Sequence, residues 1–165
     1  MTGMARALAT GFGLGHLPGA PGTWASAATI PLVWGLHWLG GFWLVLPLTF
    51  IVIWGGLWAC AQILKGPDDD PSEVVIDEIA GMMIALWPLS LGMSLADAPP
   101  HVFPWPGWVA AFVLFRIFDI LKPPPVDMAE RVGGPVGVML DDIVAGMIAA
   151  ALGVLAAGVA HGWIL

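Results

Sequence analysis

The stretch VVIDEIAGMMIAL, from Val74 to Leu86, is the most informative part of the chain because it nearly recurs as VMLDDIVAGMIAA, from Val138 to Ala150. In each copy three apolar residues precede two adjacent carboxylates, which are the first acidic pair (Asp77-Glu78) or the second acidic pair (Asp141-Asp142), and a Gly-Met pair follows. Carboxylates beside hydrocarbon cost free energy unless cations or a metal ion pair with them. Two such pairs in a chain with few charges therefore predict apolar helices that carry one shared functional site.

The composition is typical of a membrane protein. Of the 165 residues, 59% are hydrophobic and 10% are charged, whereas a soluble domain has roughly 25% charged residues. The mean hydropathy is +0.89, and a soluble core of this size cannot bury so much apolar surface. The net charge of −7 argues against nucleic acid as a partner, because phosphate backbones bind basic surfaces. From the length, we expect residues 1–165 to form a single integral-membrane domain.

Apolar runs close to the roughly 20 residues that cross a bilayer predict the fold class. They predict an all-α, polytopic membrane bundle of about five transmembrane helices, because an isolated span must satisfy its own backbone hydrogen bonds. The first and fourth runs are short, so we expect them to extend into flanking loops or to thin the bilayer locally. The five predicted spans are Trp24–Leu39, Phe42–Leu64, Ile79–Leu95, Trp108–Leu121 and Ile143–Leu165.

The charged residues lie on one side of this predicted topology. All five basic residues fall on or near the side that holds the N-terminus and the loops 65–78 and 122–142. The positive-inside rule makes that side cytoplasmic. Of the 12 carboxylates, all except Asp97 fall on the same side. Because the rule does not account for acidic residues, we expect a second cause, and metal binding is the leading candidate.

The acidic segments also predict where two helices begin. The segment Asp70–Glu73 has the pattern of a helix start, with Asp70 as the N-cap and Pro71 at the first position. The first acidic pair then lies a full turn inside its helix, whereas the second acidic pair opens the last span. Gly81 and Gly146 remove side chains beside the two pairs, so we expect the two helices to approach each other closely.

Basic residues occur at the end of the fourth predicted span, in the segment FRIFDILKPPP. Arg116, Asp119 and Lys122 recur every third residue and so share one broad helix face. Ionisable groups inside a membrane are functional candidates by default. Carboxylates are the hard oxygen ligands that Mg²⁺ prefers, and Arg and Lys suit phosphate. We therefore predict that Arg116 and Lys122 bind a substrate phosphate next to a Mg²⁺ ion held by Asp77, Glu78, Asp119, Asp141 and Asp142.

The N-terminal segment GFGLGHLPGAPGTWAS is a further candidate phosphate contact. Its glycines would let backbone N–H groups approach a phosphate at the start of the first span, where we expect Thr23 or Ser26 to cap the helix and bind substrate. No predicted strand precedes the segment, so it does not fit a P-loop or a dinucleotide site. A flexible lead into a membrane helix is the alternative interpretation.

Four segments together resemble one known family. GLGHLPGAPGT, DDPSEVVIDEIAGM, FRIFDILKPPPV and GGPVGVMLDDIVAGM follow in this order across nearly the whole chain, and they resemble phosphatidylglycerophosphatase A, a bacterial membrane lipid phosphatase. The resemblance implies a Mg²⁺-dependent enzyme of the bacterial inner membrane with its active site on the cytoplasmic side. It also implies the reaction, which removes the terminal phosphate of phosphatidylglycerophosphate and yields phosphatidylglycerol.

Motifs that the chain lacks narrow the chemistry. Cys60, the single cysteine, does not begin a Cys-x₅-Arg loop, and no Asp-x-Asp-x-Thr motif occurs. We therefore favour attack by a metal-activated water, and a carboxylate nucleophile is the alternative. Two rival functions stay open, namely a small cation or proton transporter with intramembrane acids and a non-catalytic lipid-binding membrane subunit. The residues predicted to be catalytic are Asp77, Glu78, Asp119 and Asp142.

Overall fold

The computed structural model describes residues 2–66, 69, 71–160 and 162, and these residues form helices with no β-strand among them. The prediction of an all-α membrane bundle is confirmed. The described helices follow in the order α1 (Thr2–Ala9), a 3₁₀ segment (Gly11–His16), α2 (Pro21–Gly40), α3 (Phe42–Ile63), α4 (Ile76–Ala85), α5 (Trp87–Leu95), α6 (Trp105–Leu121), α7 (Val126–Glu130) and α8 (Gly134–Ala160).

Helix α4 lies at the centre of the bundle. Every residue of α4 except Glu78 is buried. The helix contacts α2, α3 and α6, and it packs most extensively on α8. A helix that is apolar on all sides must be covered on all sides. Because this central helix carries the first acidic pair, the fold brings that pair into the protein interior.

Helices α4 and α8 approach each other closely at Gly81 and Gly146, as the sequence predicts. A Cβ atom on Gly81 would lie 2.5 Å from the Asp142 carbonyl oxygen and 2.6 Å from the ring of Phe115. A Cβ atom on Gly146 would overlap the Gly81 carbonyl group. Backbone therefore packs on backbone at this crossing, and the crossing brings the two acidic pairs together.

Replacing Gly81 with alanine should destabilise the protein by about 1–3 kcal/mol, the usual cost of overpacking a well-filled interior. The added methyl group would meet a backbone carbonyl and the fully buried ring of Phe115, so neither neighbour is free to move away. Thermal unfolding in detergent measures the effect. Gly153→Ala on α8 is the matched control, because nothing lies within 4 Å of a Cβ atom there. Equal melting temperatures for the two variants would contradict the close crossing.

The predicted start of α4 is wrong. The helix begins at Ile76 rather than at Pro71, because the end of α1 forms a hydrogen bond with the backbone just before α4. The Val75 N–H donates to the Ala9 carbonyl oxygen at 2.8 Å, which fixes residues 71–75 in an irregular path. Asp70, the predicted N-cap, lies outside the described residues. The first acidic pair therefore lies in the first turn of its helix and not a full turn inside.

The predicted start of α8 is also wrong. The helix begins at Gly134 rather than at Ile143. Gly133 and Gly134 have φ angles of 71° and 60°, which favour glycine, and the turn that they make starts the helix early. The second acidic pair therefore lies about two turns inside α8. Leu165, the predicted end of the last span, lies outside the described residues.

The predicted count of about five transmembrane helices is too high. Three segments of the described chain are long and apolar enough to cross a membrane, namely Phe42–Ile63, Ile76–Leu95 and Gly134–Ala160. Helix α2 has 20 residues, but its prolines, its glycines and His37 lower its hydropathy. Helix α6 is short, with 17 residues. The first and fourth predicted spans therefore form the helices α2 and α6, which fall short of the hydropathy or length that is typical of a membrane-spanning segment.

Candidate active site

A cavity of about 560 Å³ opens where α2 and α4 begin, α6 ends and the first turns of α8 pass. All five carboxylates predicted to hold a metal line this cavity, together with Arg116 and Lys122. The other charged residues in its wall are Asp69, Glu130 and Arg131. The structure thus brings the two acidic pairs and the end of α6 into one place. The catalytic and metal-binding roles of these residues stay predictions.

The two acidic pairs have the same local geometry. In each pair the first carboxylate accepts a hydrogen bond from the backbone N–H of the second residue, with N–O distances of 3.0 Å at Asp77 and at Asp141. Asp77 is 9% exposed and Asp142 is 2% exposed. Asp77, Glu78 and Asp142 each offer a carboxylate oxygen, and these oxygens lie within 4.8 Å of one another. We call these three residues the acidic trio.

Two oxygens of the acidic trio, Glu78 Oε2 and Asp142 Oδ1, are buried without a hydrogen-bond donor among the described residues. A buried acceptor without a donor costs about 1–3 kcal/mol, and a charged one costs more. Neighbouring carboxylates that are both ionised add repulsion. A bound cation would remove both costs, so the acidic trio fits a hard divalent metal ion such as Mg²⁺.

Arg116 reaches from α6 into the cavity and is held from two sides. Its Nη1 atom forms an ion pair with Asp119 Oδ2, one helical turn away, and both side chains are largely buried. The same Nη1 donates a long hydrogen bond of 3.5 Å to Ser26 Oγ on α2. Its Nε atom has no acceptor among the described residues. The guanidinium is therefore fixed in position and keeps donors available for an anion.

Lys122 ends α6 in a left-handed conformation, with a φ angle of 44°. Its Nζ atom donates to Glu130 Oε1 at 2.6 Å and to Asp141 Oδ2 at 2.8 Å. Burial lowers the pKa of the Lys122 ammonium, but the hydrogen bonds and charges of Asp141 and Glu130 outweigh burial and raise the pKa above its ordinary value. Lys122 therefore stays charged at neutral pH and orients Asp141, and one N–H remains for its predicted contact with phosphate.

The start of α2 faces the cavity through its backbone. Ala20 is the N-cap, and no side chain caps the helix, so the predicted capping by Thr23 or Ser26 is wrong. Ser26 Oγ instead donates to the Gly22 carbonyl oxygen at 2.8 Å, the back-bonding that serine often makes inside a helix. Ser26 is fully buried, and Thr23 does not line the cavity. Their roles in substrate binding stay predictions.

Sequence reasoning assigned no individual role to three residues of the cavity wall, although Gly22 belongs to the N-terminal segment proposed as a phosphate contact. Gly22 leaves the space that the Glu78 carboxylate fills, because a Cβ atom there would overlap Glu78 Oε1 and lie 3.3 Å from Arg116 Nη1. The sequence did hold a signal for Gly22, namely a Pro-Gly pair at the start of an apolar run. Glu130 and Arg131 line the cavity from α7 and its end, and no periodic pattern pointed to them.

The cavity is acidic overall. Seven carboxylates and three cationic side chains line it, which gives a formal charge of −4 when all are ionised. A phosphate monoester is itself an anion, so these side chains alone would repel it. One divalent cation would halve this charge and two would neutralise it, which would let a phosphate approach Arg116.

Comparison with known proteins decides the family. Residues 7–157 match the sequence profile described as phosphatidylglycerophosphatase A. The chain belongs to the phosphatidylglycerophosphatase A family. This is the family that the four sequence segments resemble. The matched range contains both acidic pairs, Arg116 and Lys122. Every residue that lines the cavity therefore lies within the part of the chain that matches the family.

Curated relatives match this chain over most of their length. A protein of Bacteroides thetaiotaomicron that carries the provisional name phosphatidylinositol-3-phosphatase is 40% identical over 146 residues, which are 85% of this chain and 85% of the relative. Phosphatidylglycerophosphatase A of Escherichia coli is 39% identical over 147 residues, or 88% of this chain and 78% of the relative. The Haemophilus influenzae enzyme of the same name is 35% identical over 144 residues, or 86% and 82%. No solved structure matches the chain.

Membership of this family makes the chain a phosphatase. The two rival functions, a cation or proton transporter and a non-catalytic lipid-binding subunit, are therefore set aside. Three apolar helical segments of spanning length, together with these relatives, make it a membrane protein.

Proposed function

We propose that this enzyme hydrolyses the terminal phosphate monoester of phosphatidylglycerophosphate and releases phosphatidylglycerol and inorganic phosphate. The observation that carries the proposal is the acidic trio, which faces Arg116 in one cavity beside membrane-spanning helices. A cavity of this kind suits a phosphate that is attached to a lipid. Two relatives, at 39% and 35% identity, are named for this activity.

Phosphatidylinositol 3-phosphate is the second candidate substrate. The relative with 40% identity is provisionally named for it. Both lipids present a phosphate monoester on a headgroup that a phosphodiester joins to diacylglycerol, so the charge of the cavity does not separate them. We favour phosphatidylglycerophosphate because the family description that covers residues 7–157 names that activity.

We also propose that the acidic trio holds a Mg²⁺ ion. When bound, the ion supplies positive charge to a phosphoryl oxygen and lowers the pKa of a bound water. The oxygens of Glu78 and Asp142 that lack donors support this assignment, as does the formal charge of −4 in the cavity. Asp119 and Asp141, predicted as further ligands, are paired with Arg116 and Lys122 and orient those cations.

The side chains of the chain itself bind the substrate and move protons. Arg116 donates to two phosphoryl oxygens, and Asp119 holds its guanidinium in position. A carboxylate of the acidic trio takes a proton as water attacks phosphorus. The bond from phosphorus to the glycerol oxygen then breaks, and that oxygen leaves as the alcohol after it takes up the proton that the carboxylate accepted from water. Direct attack by a carboxylate of the trio is the alternative to attack by water.

Release of phosphate from defined lipids by the purified protein tests the proposal. We expect turnover of phosphatidylglycerophosphate to exceed that of phosphatidylinositol 3-phosphate, to stop in EDTA and to return with added Mg²⁺. Preference for the inositol lipid would overturn the substrate assignment and leave the phosphatase intact. Full turnover in EDTA would overturn the metal assignment.

We propose that the cavity opens to the cytoplasm at the bacterial inner membrane. All five basic residues of the chain support this orientation, because they lie on or near the side that holds the cavity. A reporter domain inserted at Gly66, in the loop before α4, should therefore be active only if it is of a kind that functions in the cytoplasm. Insertion at Ala98, after α5, is the comparison and should give the opposite result. A periplasmic reporter that is active at Gly66 would contradict the proposed orientation.

A further inference from the structure

A shallow, open groove of about 350 Å³ lies along the outer face of α6, and the residues that line it all belong to that helix. We call it the α6 groove. Apart from one arginine, its wall consists of hydrocarbon side chains, and the reaction proposed above does not use them. The lining residues repeat at helical spacing and are Phe112, Val113, Arg116, Ile117, Ile120 and Leu121.

Arg116 joins the α6 groove to the candidate active site. Among the described residues it alone lines both cavities. Its guanidinium points to Asp119, which lines the active-site cavity, and to the buried Ser26 on α2. Its hydrocarbon stem borders the groove, as long cationic side chains commonly do at the edge of apolar surface. A molecule in the groove would therefore lie directly beside the group that we expect to bind phosphate.

The exposure and length of the α6 groove suit a lipid chain. Ile117 is 44% exposed and Ile120 is 64% exposed, although both are large apolar side chains. The groove runs from Phe112 to Leu121, which is about 14 Å along the helix at about 1.5 Å per residue. One leaflet of hydrocarbon is about 15 Å thick, half of the roughly 30 Å core. A chain lying in the groove would span most of its own leaflet.

We propose that the α6 groove binds one acyl chain of the phospholipid substrate and thereby sets the position of the headgroup at Arg116. The proposal rests on the proposed function for the identity of the headgroup. The acyl chain moves from bilayer hydrocarbon into protein hydrocarbon, so it gains little hydrophobic free energy. The groove therefore acts by orientation. It holds the lipid at a depth and angle that bring the phosphate to the active site.

Filling the groove tests this role. In Ile117→Trp and Val113→Trp the indole would occupy the space of the acyl chain. Val154→Trp is the control, because Val154 on α8 is 55% exposed, comparable with Val113 (46%), and lies outside the groove. The measurement is kcat/KM in mixed micelles for dioleoyl phosphatidylglycerophosphate and for its water-soluble, deacylated headgroup. The same pair of measurements is made with phosphatidic acid and glycerol 3-phosphate.

We expect each groove variant to lower the ratio of kcat/KM for the lipid over its deacylated form by about tenfold, because a small misplacement of a substrate is costly. The control should keep the wild-type ratio.

Equal losses of kcat/KM on the lipid and on its deacylated form, or no loss on either, would overturn the proposal. A wild-type protein that is a dimer and becomes a monomer in Ile117→Trp would also overturn it, because the groove would then be an interface between copies of the chain. Wild-type protein that hydrolyses phosphatidic acid but not phosphatidylglycerophosphate would refute the proposed function alone, and the phosphatidic acid ratio would then decide the groove.

Discussion

Replacing Asp142 with asparagine should lower kcat by more than about a hundredfold, because loss of even the outer partners of a metal site costs about 10–100-fold. Asparagine keeps the shape of the side chain and removes the charge that we expect to hold Mg²⁺. The residue is 2% exposed, and its Oδ1 atom has no donor among the described residues. Phosphate release at saturating Mg²⁺ measures the effect.

The same Asp142→Asn variant should unfold in EDTA at a temperature equal to or higher than that of the wild-type protein. Without metal, the buried charge is only a cost, because it lies beside other carboxylates. Asp97→Asn is the matched control, since Asp97 is exposed and asparagine tolerates its φ angle of 47°. A lower melting temperature with little loss of activity would mean that Asp142 has a structural role and no part in metal binding.

Replacing Arg116 with lysine should lower kcat/KM by about a hundredfold, the usual loss when one positioned donor to a transition state is removed. Lysine keeps the charge, but it cannot bind two phosphoryl oxygens in the planar geometry of a guanidinium. It would also lose the geometry that now links Asp119 to Ser26. Steady-state kinetics with the lipid substrate measure the loss.

The control for Arg116→Lys is Arg6→Lys. Arg6 has a side chain that is 68% exposed, lies 3.8 Å from Glu73 and does not line the cavity. This variant should keep wild-type kinetics. If Arg116→Lys also turns over at the wild-type rate, Arg116 only anchors α6 at the membrane surface and does not bind the phosphate.

The convergence of the acidic residues could be predicted from the sequence because two local signals agree. The repeated acidic pairs indicated a shared site, and Gly81 and Gly146 indicated where the two helices cross. A glycine at a helix crossing acts through the absence of a side chain, and the sequence displays that absence directly. The spacing of Arg116, Asp119 and Lys122 likewise placed three charged groups at one end of α6.

The helix starts could not be predicted because tertiary contacts decide them. The segment Asp70–Glu73 has good local signals for a helix, but the hydrogen bond from Val75 to Ala9 holds the following backbone in another path. Ser26 had the chemistry of a cap, yet it lies inside α2 and bonds backwards to Gly22. The first error comes from a contact between residues distant in sequence, and the second comes from the position of Ser26 inside α2. Local sequence patterns report neither.

The partners of Lys122 also lay beyond sequence reasoning. Periodicity placed Lys122 near the acidic residues, but it gave no reason to expect Glu130 as a second partner. That contact depends on the short helix α7, which turns the chain between α6 and α8. The structure therefore changes the expected role of Lys122, which holds Asp141 in place in addition to any contact with phosphate.

The central claim is that the two acidic pairs form one metal site, and titration of the purified protein with Mg²⁺ in the absence of substrate tests it most directly. Calorimetry should show Mg²⁺ binding to the wild-type protein and at least tenfold weaker binding to Asp77→Asn and to Asp142→Asn, since each removes a ligand from a different helix. Asp97→Asn should bind as the wild type does. Wild-type affinity in both the Asp77 and the Asp142 variants would contradict the claim.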